Sequence, residues 1–274
     1  MQALAAEGKI NIDRMALEYK LFGPLQTHLP SIVLLHEGLG SIRTWGDFPR
    51  RISEQTGAPV FAYSRAGYGA SPPFGTGLPI DYIRRHALDL LPKLLEIIGF
   101  RRGILLGHSD GASMAAAYAG GVDDPKIIGL ILMAPHFFVE PETLVEIRNA
   151  REAYKTGDLR QRLSRYHSYV DAAFWGWNDV WLEPAFASFN LRDELTKLRV
   201  PTLVMRGDDD RYGTHRQVAM AKDLCRCTVQ TVIIPECGHV PHREKPEPTL
   251  DAIASFYRCV AASRDGEPTR TKAE

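Results

Sequence analysis

Six short runs dominated by apolar residues recur along the chain, and each leads into a segment rich in glycine, proline, aspartate or small polar residues. They are SIVLL from residue 31, PVFAYS from 59, GILL from 103, IIGLILM from 127, VPTLVMR from 200 and TVQTVII from 228. Apolar runs of this length predict strands that are buried on both faces of a parallel sheet. Residues 9–22 alternate apolar and polar positions in part, which predicts an opening antiparallel hairpin or a bent strand.

Helical patterns lie between these runs. Residues 81–98 carry apolar side chains at helical spacing, with Asp81 as a candidate N-cap and Gly99 just beyond the end. Pro92 lies inside this pattern, where it would kink or divide the helix. Further helices are predicted near Asp47 and over residues 247–261. Strands that alternate with helices predict an α/β fold with a mostly parallel central sheet and helices on both faces.

The stretch between the strands near residues 133 and 200 has no clear strand pattern. It predicts helices over 142–155 and 159–170, followed by the aromatic segment FWGWNDVW from residue 174. We therefore expect a helical cap at 137–195, inserted into a core formed by 1–136 and 196–274. The tryptophans of this segment either pin the cap to the core or line a pocket. Trp175 and Trp177 are pocket candidates, and so is His136, which ends a strand beneath the cap.

Composition excludes several classes of function. Lys+Arg and Asp+Glu are balanced at 33 each, which disfavours nucleic acid or an anionic membrane surface as a partner. Cys225, Cys227, Cys237 and Cys259 match neither a zinc site nor a C-x-x-C redox site. No apolar run approaches a membrane span, and the first twenty residues lack the apolar core of a signal peptide. We expect a cytoplasmic protein that needs no metal and no cofactor, with a frayed polar tail at 263–274.

The segment GHSDG at residues 107–111 lies between an apolar strand and an alanine-rich run that predicts a helix. This is the G-x-S-x-G pattern of a nucleophile elbow, which lifts a serine hydroxyl above the sheet edge at a helix N-terminus. The turn is so tight that a Cβ at either glycine would clash. Ser109 is therefore the candidate nucleophile.

A serine nucleophile needs a base and an acid, and both are expected after strand C-termini. Asp208, Asp209 and Asp210 follow the strand at 200–206, and we favour Asp210 and then Asp209, because the next segment begins directly after Asp210. His239 follows the last strand, with His242 as its rival three residues on. The order serine, aspartate, histidine is the one that this architecture requires.

The oxyanion formed during the reaction needs backbone N–H donors. One is expected from Asp110, directly after the serine. The other is expected from the loop HEGLG at 36–40, where Gly38 is our first choice and Leu39 the second. The carboxylate of Asp110 is expected to project near the pocket mouth and to influence substrate choice.

With these motifs the chain resembles the α/β-hydrolase fold family, in particular its cap-bearing esterases, C–C hydrolases and haloperoxidase-like enzymes. The resemblance rests on HEGLG from residue 36, SRAGYGAS from 64, GHSDG from 107, GDDD from 207 and GH from 238. It implies Ser109 as nucleophile, Asp210 as acid and His239 as base. Two segments depart from the family pattern: Glu37 stands where a glycine is frequent, and Ser64 and Ala66 stand where an aspartate and a glycine are usual.

The expected function is that of a serine hydrolase working through an acyl-enzyme, a carboxylesterase acting on a small ester-like substrate. A C–C bond hydrolase, a lactonase or an amidase could use the same triad, and a perhydrolase side activity is compatible with it. A serine at the elbow argues against dehalogenase or epoxide-hydrolase chemistry, which resembling enzymes carry out from an aspartate. The remote alternative is a non-catalytic ligand receptor on the same scaffold. Oligomeric state stays open.

Overall fold

The computed structural model describes residues 4–23, 28–73, 75 and 77–262, so the tail predicted to be frayed lies outside the described residues. Eight strands in these ranges form one sheet in the order β1-β2-β4-β3-β5-β6-β7-β8. The strands are β1 Glu7–Ile12, β2 Met15–Phe22, β3 Ser31–Leu35, β4 Val60–Tyr63, β5 Gly103–His108, β6 Ile127–Met133, β7 Thr202–Gly207 and β8 Val229–Ile234. The β1–β2 and β2–β4 pairs are antiparallel, and the pairs among β3 to β8 are parallel. The predicted fold class and the opening hairpin are therefore both confirmed.

Helices cover the sheet on both faces. They are α1 Phe48–Thr56, α2 Tyr82–Arg85, α3 Leu91–Ile97, α4 Asp110–Gly121, α5 Pro141–Thr156, α6 Leu159–Leu163, α7 Val170–Leu182, α8 Arg192–Lys197, α9 His215–Leu224, α10 Pro241–Glu244 and α11 Pro246–Ala262. Successive residues of the central strands contribute to two separate cores: Val33 and Leu35 pack on one side, and Ile32 and Leu34 on the other. This alternation explains why the strands are apolar throughout.

Strand β8 differs from its prediction. It lies at the end of the sheet and is mostly exposed or half-buried, with Ile233 37% exposed. The expectation of a strand buried on both faces was wrong here, because β8 pairs with β7 on one side only. Its carboxyl end still lies beside that of β7, where the base was expected.

The helix predicted over residues 81–98 is divided into three consecutive pieces. A π-helical turn, His86–Leu90, separates α2 from α3, and Pro92 lies in the first turn of α3. A proline is tolerated there because the first N–H groups of a helix have no intrahelical acceptor. Gly99 takes a positive φ of 66°, as expected of the residue after the helix.

The segment between β6 and β7 folds into helices that lie next to the carboxyl ends of the strands. The helix predicted over 159–170 was wrong beyond residue 163, where α6 ends. The N–H of Ser168 bonds to the carbonyl of Gly69 at 2.8 Å and so leaves the helical pattern. The ring of His167 holds the chain at the same place, because its Nδ1 accepts from the N–H of Gly69 and its Nε2 donates to the carbonyl of Leu39, each at 3.0 Å. The aromatic segment lies within α7. In the described part of the chain, no helix is both long and apolar enough to cross a membrane.

Candidate active site

Ser109 lies at the tip of the turn from β5 into α4. Its φ of 54° and ψ of −119° are a strained conformation for a residue with a side chain, and its N–H is anchored on the carbonyl of Met133 at 2.9 Å. A Cβ on Gly107 would lie 2.2 Å from the carbonyl oxygen of Gly111, and a Cβ on Gly111 would lie 2.0 Å from that of Leu35. Both elbow glycines are therefore required by close backbone contacts, as the motif predicts.

Three of the predicted side chains meet above the carboxyl ends of β5, β7 and β8. His239 Nε2 lies 3.0 Å from Ser109 Oγ, and His239 Nδ1 lies 3.0 Å from each carboxylate oxygen of Asp210. An imidazole in this position can take the serine proton at Nε2 while Nδ1 donates to the carboxylate. The arrangement is that of a Ser-His-Asp triad.

The rival residues of the sequence lie elsewhere. Asp208 pairs with His215 on the surface at 3.1 Å, and Asp209 is exposed. The ring of His242 packs into the core, with its centroid 4.7 Å from that of Trp45. The choice of Asp210 and His239 among the alternatives therefore agrees with the geometry.

The loop that follows β7 holds the carboxylate of Asp210. Its Oδ1 accepts the N–H of Tyr212 at 2.8 Å, and Arg206 donates to the carbonyls of Asp210 and Gly213 at 3.1 and 2.8 Å. Burial by itself would raise the pKa of Asp210. The attraction and hydrogen bond of His239 outweigh burial and lower this pKa to about 2. The acid is therefore ionised at neutral pH.

The loop after β3 lines the same cavity as Ser109 and has backbone N–H groups without an acceptor among the described residues. Arg65 donates to the carbonyls of His36 and Glu37 at 2.5 and 2.9 Å, and in a trans peptide the N–H of Gly38 points away from the Glu37 carbonyl. Neither Gly38 nor Leu39 donates its N–H to an acceptor among the described residues. The N–H of Asp110 opens α4, where helices leave their first donors without a partner. Gly38 and Asp110 thus form a candidate oxyanion hole.

A cavity of about 170 Å³ opens over Ser109. It is lined by Glu37, Gly38, Leu39, Ser109, Asp110, His136, Thr143, Ile147, Trp177, Trp181, Tyr212, His239 and Val240. His136 and Trp177 lie in it, as predicted, whereas Trp175 lines a separate cavity with Tyr68 and Leu78. Residues 177 and 181 are one helical turn apart and share a face of α7. Treating the aromatic segment as a helix would have selected Trp181 in place of Trp175.

His136 is a buried polar residue of the cavity wall that is not part of the triad. It is 2% exposed, its Nδ1 has no hydrogen-bond partner among the described residues, and its ring centroid lies 5.5 Å from that of His239. Burial lowers the pKa of His136 to about 3, so the ring is neutral. A neutral imidazole can donate or accept a hydrogen bond without adding charge to the cavity.

The carboxylate of Asp110 does not project near the pocket mouth, so that expectation was wrong. Asp110 is 1% exposed, and its Oδ2 accepts a 2.5 Å hydrogen bond from the hydroxyl of Tyr82, which in turn accepts from Trp181 Nε1 at 3.0 Å. The first residue of α4 is drawn inward by this network. No group of three or more His, Cys, Asp or Glu side chains in the described ranges is arranged to hold a metal ion.

The departure at Ser64 has a structural explanation. Its hydroxyl donates to Glu18 at 2.5 Å and accepts the N–H of Ile42 at 2.9 Å. A carboxylate is therefore present at this point of the fold, but β2 supplies it from Glu18.

The sheet order and its covering helices define an α/β hydrolase fold, and the comparison with known families agrees. The model of the alpha/beta hydrolase family matches residues 32–252, and the chain belongs to this family. It is 22% identical to a proline iminopeptidase of Lactobacillus helveticus, over 88% of this chain and 94% of that protein. It is 21% identical to a bifunctional esterase/perhydrolase of Acinetobacter calcoaceticus, over 73% of this chain and 80% of that one. The crystal structure of MGS-M2, an alpha/beta hydrolase from a Medee basin deep-sea metagenome library, superposes with a TM-score of 0.75 at 17% identity, over 96% of this chain and all of that one.

Proposed function

We propose that the protein is a serine hydrolase that cleaves small, uncharged carboxylic esters through an acyl-enzyme at Ser109. The observation that carries this proposal is the hydrogen-bond chain from Ser109 through His239 to Asp210 at the floor of the cavity. Gly38 and Asp110 line the same cavity as Ser109, which supports a role of their backbone N–H groups in holding an oxyanion.

The reaction follows from these contacts. Ser109 Oγ attacks the ester carbonyl carbon while its proton passes to His239 Nε2, and the carbonyl oxygen becomes the oxyanion. The tetrahedral intermediate collapses, the alkoxide leaves with the proton from His239, and the acyl group stays on Ser109. A water molecule then gives its proton to His239 and attacks the acyl carbon. The carboxylic acid leaves as Ser109 recovers the proton.

The cavity wall favours an uncharged substrate. A peptide with a free N-terminus would bring an ammonium group next to the scissile carbonyl, and a buried charge needs a compensating one. Two acidic residues besides the triad line the cavity, and neither carboxylate is free to pair with an ammonium group: that of Asp110 is buried and bonded to Tyr82, and that of Glu37 lies 3.4 Å from His108. This observation favours an ester over the substrate of an iminopeptidase.

The size of the cavity favours a compact acyl group. An engineered apolar cavity of about 150 Å³ holds benzene, and the cavity over Ser109 is of similar volume at about 170 Å³. We infer that the cavity accepts acyl groups up to roughly the size of one ring.

We also propose that residues 137–195 act as the cap of this cavity, because Thr143, Ile147, Trp177 and Trp181 all belong to them. No partner other than this small molecule is proposed, and the free thiols of Cys225, Cys227 and Cys237 favour the cytoplasm.

The test is a substrate panel measured on wild type and on Ser109→Ala. We expect turnover of p-nitrophenyl acetate and butyrate, with little turnover of p-nitrophenyl palmitate and none of proline p-nitroanilide. In Ser109→Ala, kcat should fall by about 10⁶-fold, with an unchanged circular dichroism spectrum. A preference for proline p-nitroanilide would reject the ester proposal. Retained ester turnover in Ser109→Ala would reject the assigned nucleophile.

A further inference from the structure

Two buried polar atoms face each other behind the proposed base. His108 is fully buried directly before Ser109, and its Nδ1 lies 3.4 Å from Glu37 Oε2. Neither atom has a hydrogen-bond partner among the described residues, so each has only the other. On its other side, His108 Nε2 lies 2.7 Å from the carbonyl oxygen of His239. His108 therefore bridges the loop after β3 and the loop that carries the base.

The hydrogen-bond partners of His108 determine which of its ring nitrogens carry protons. A carbonyl oxygen only accepts, so His108 Nε2 carries a proton. If His108 were neutral, its single ring proton would be on Nε2, and Nδ1 would carry a lone pair. Nδ1 and Glu37 Oε2 would then be two buried hydrogen-bond acceptors facing each other. One more proton must lie between these two side chains.

The contact between Glu37 and His108 also determines which of the two side chains holds that proton. Burial by itself disfavours charge on both groups, but the close approach of the two side chains and their mutual attraction outweigh burial. The pKa of Glu37 is lowered well below its usual range, and the pKa of His108 is raised. The pair is a carboxylate beside an imidazolium.

We propose that Glu37 and His108 form a buried ion pair that positions His239 for catalysis. The imidazolium donates from Nε2 to the backbone carbonyl of His239, and Glu37 keeps that imidazolium charged and correctly turned. Both are positioning residues, because His108 contacts the backbone carbonyl of the base and Glu37 acts on the base only through His108. The role rests on the proposed function, in which His239 is the base. It also accounts for the glutamate that stands where the family pattern often has glycine.

The surroundings of His108 leave Glu37 as its direct counter-charge. The rings of His239 and His242 each have their centroids 5.2 Å from that of His108, and Trp45 packs at 6.2 Å. His242 is neutral, since burial lowers its pKa to about 3, and Asp210 adds a weaker attraction from the loop after β7. The facing acceptors call for this second proton, and because the pKa of His108 is raised, the ring keeps the proton to a higher pH than a free imidazole and loses it as pH rises further. The ion pair with Glu37 is then lost, and the carbonyl of His239 no longer accepts a hydrogen bond from a charged ring.

The experiment compares Glu37→Gln and His108→Gln with two surface controls, His215→Gln and Glu236→Gln. We expect kcat on p-nitrophenyl acetate to fall about 10- to 100-fold in the first two, the range of one lost hydrogen bond to a charged group, with KM changed less than about threefold. The wild-type pH profile should show an alkaline fall that is absent in His108→Gln. The controls should keep both the rate and the profile. Rates within twofold of wild type and an unchanged profile in both variants would overturn the proposal.

A second measurement is independent of activity and of how well the variants fold. Long-range ¹H–¹⁵N NMR of the wild-type protein at pH 7 should show His108 with both ring nitrogens protonated, and Glu37→Gln should return it to a neutral ring. A neutral His108 in the wild type would overturn the proposal even if the variants were slow. If wild type and variants alike failed to react with a fluorophosphonate, the proposed function would fail, and the NMR result would still decide the charge of the pair.

Discussion

An alanine at position 38 would place a methyl group inside the volume that the indole of Trp177 occupies. The added Cβ would lie 2.1 Å from Trp177 Nε1, 2.5 Å from Cδ1 and 2.9 Å from Cε2. Contacts between non-bonded carbon atoms are comfortable at about 3.5 Å, so the ring or the loop must move by about 1.4 Å. Trp177 is only 6% exposed, and Phe174 packs beside its ring within α7, so the ring has little free space to move into. We therefore expect the backbone of the loop to give way.

Two magnitudes follow for Gly38→Ala. Overpacking should lower the free energy of unfolding by about 1–3 kcal/mol. Displacement of the Gly38 N–H from the oxyanion should lower kcat by about 10²–10³-fold, the range for loss of one such donor. Denaturant unfolding measures the first effect, and steady-state hydrolysis of p-nitrophenyl butyrate measures the second.

The matched control is Gly213→Ala, where the nearest atom to an added Cβ would be Gln217 Cγ at an ordinary 3.5 Å. This variant should keep both stability and rate. The stability loss of Gly38→Ala should also shrink in a Trp177→Ala background, because the clash is removed. Wild-type kcat and stability in Gly38→Ala would refute both the packing and the oxyanion assignment.

Three further predictions concern the acid, the buried histidines and the α7 helix. Asp210→Asn should lower kcat by about 10⁴-fold, whereas Asp208→Asn should stay within twofold, and equal losses would mean that the acid is misassigned. Three buried histidines have a pKa lowered to about 3, so below pH 6.5 the unfolded chain binds protons that the folded chain does not. As pH falls below 6.5, the free energy of unfolding should therefore decrease by about 1.4 kcal/mol per pH unit for each histidine, or about 4 kcal/mol per pH unit for the three together. A free energy of unfolding that stays constant between pH 7 and 5 in denaturant titrations would contradict this. These histidines are His86, His136 and His242. Gly176→Ala within α7 should raise the unfolding free energy by up to about 1 kcal/mol, since its Cβ would find only ordinary contacts, and a lower Tm would speak against that packing.

The features that the sequence predicted best are those fixed by neighbouring residues in the chain or by the order of the strands. The elbow at Ser109 could be read from two glycines and one serine, because a tight strand-to-helix turn tolerates little else. Asp210 and His239 could be placed beside it because parallel strands deliver their carboxyl ends to one edge of the sheet. Apolar runs without alternation likewise predicted the central strands.

Long-range contacts account for what was missed. The end of α6 depends on His167 reaching Gly69 and Leu39, which are about a hundred residues away in the chain. The wall residue Tyr212 lies in the acid loop, and its place depends on how the insertion packs onto that loop. The contact of Glu37 with His108 joins the loop after β3 to the last residue of β5, so the sequence shows only a glutamate at an unusual position.

The most direct test of the triad is covalent labelling with a fluorophosphonate followed by intact mass and peptide mapping. We expect one adduct per chain on the peptide that contains Ser109, slower labelling in His239→Ala and none in Ser109→Ala. Labelling that persists in Ser109→Ala, or an adduct on another serine in the wild type, would contradict it.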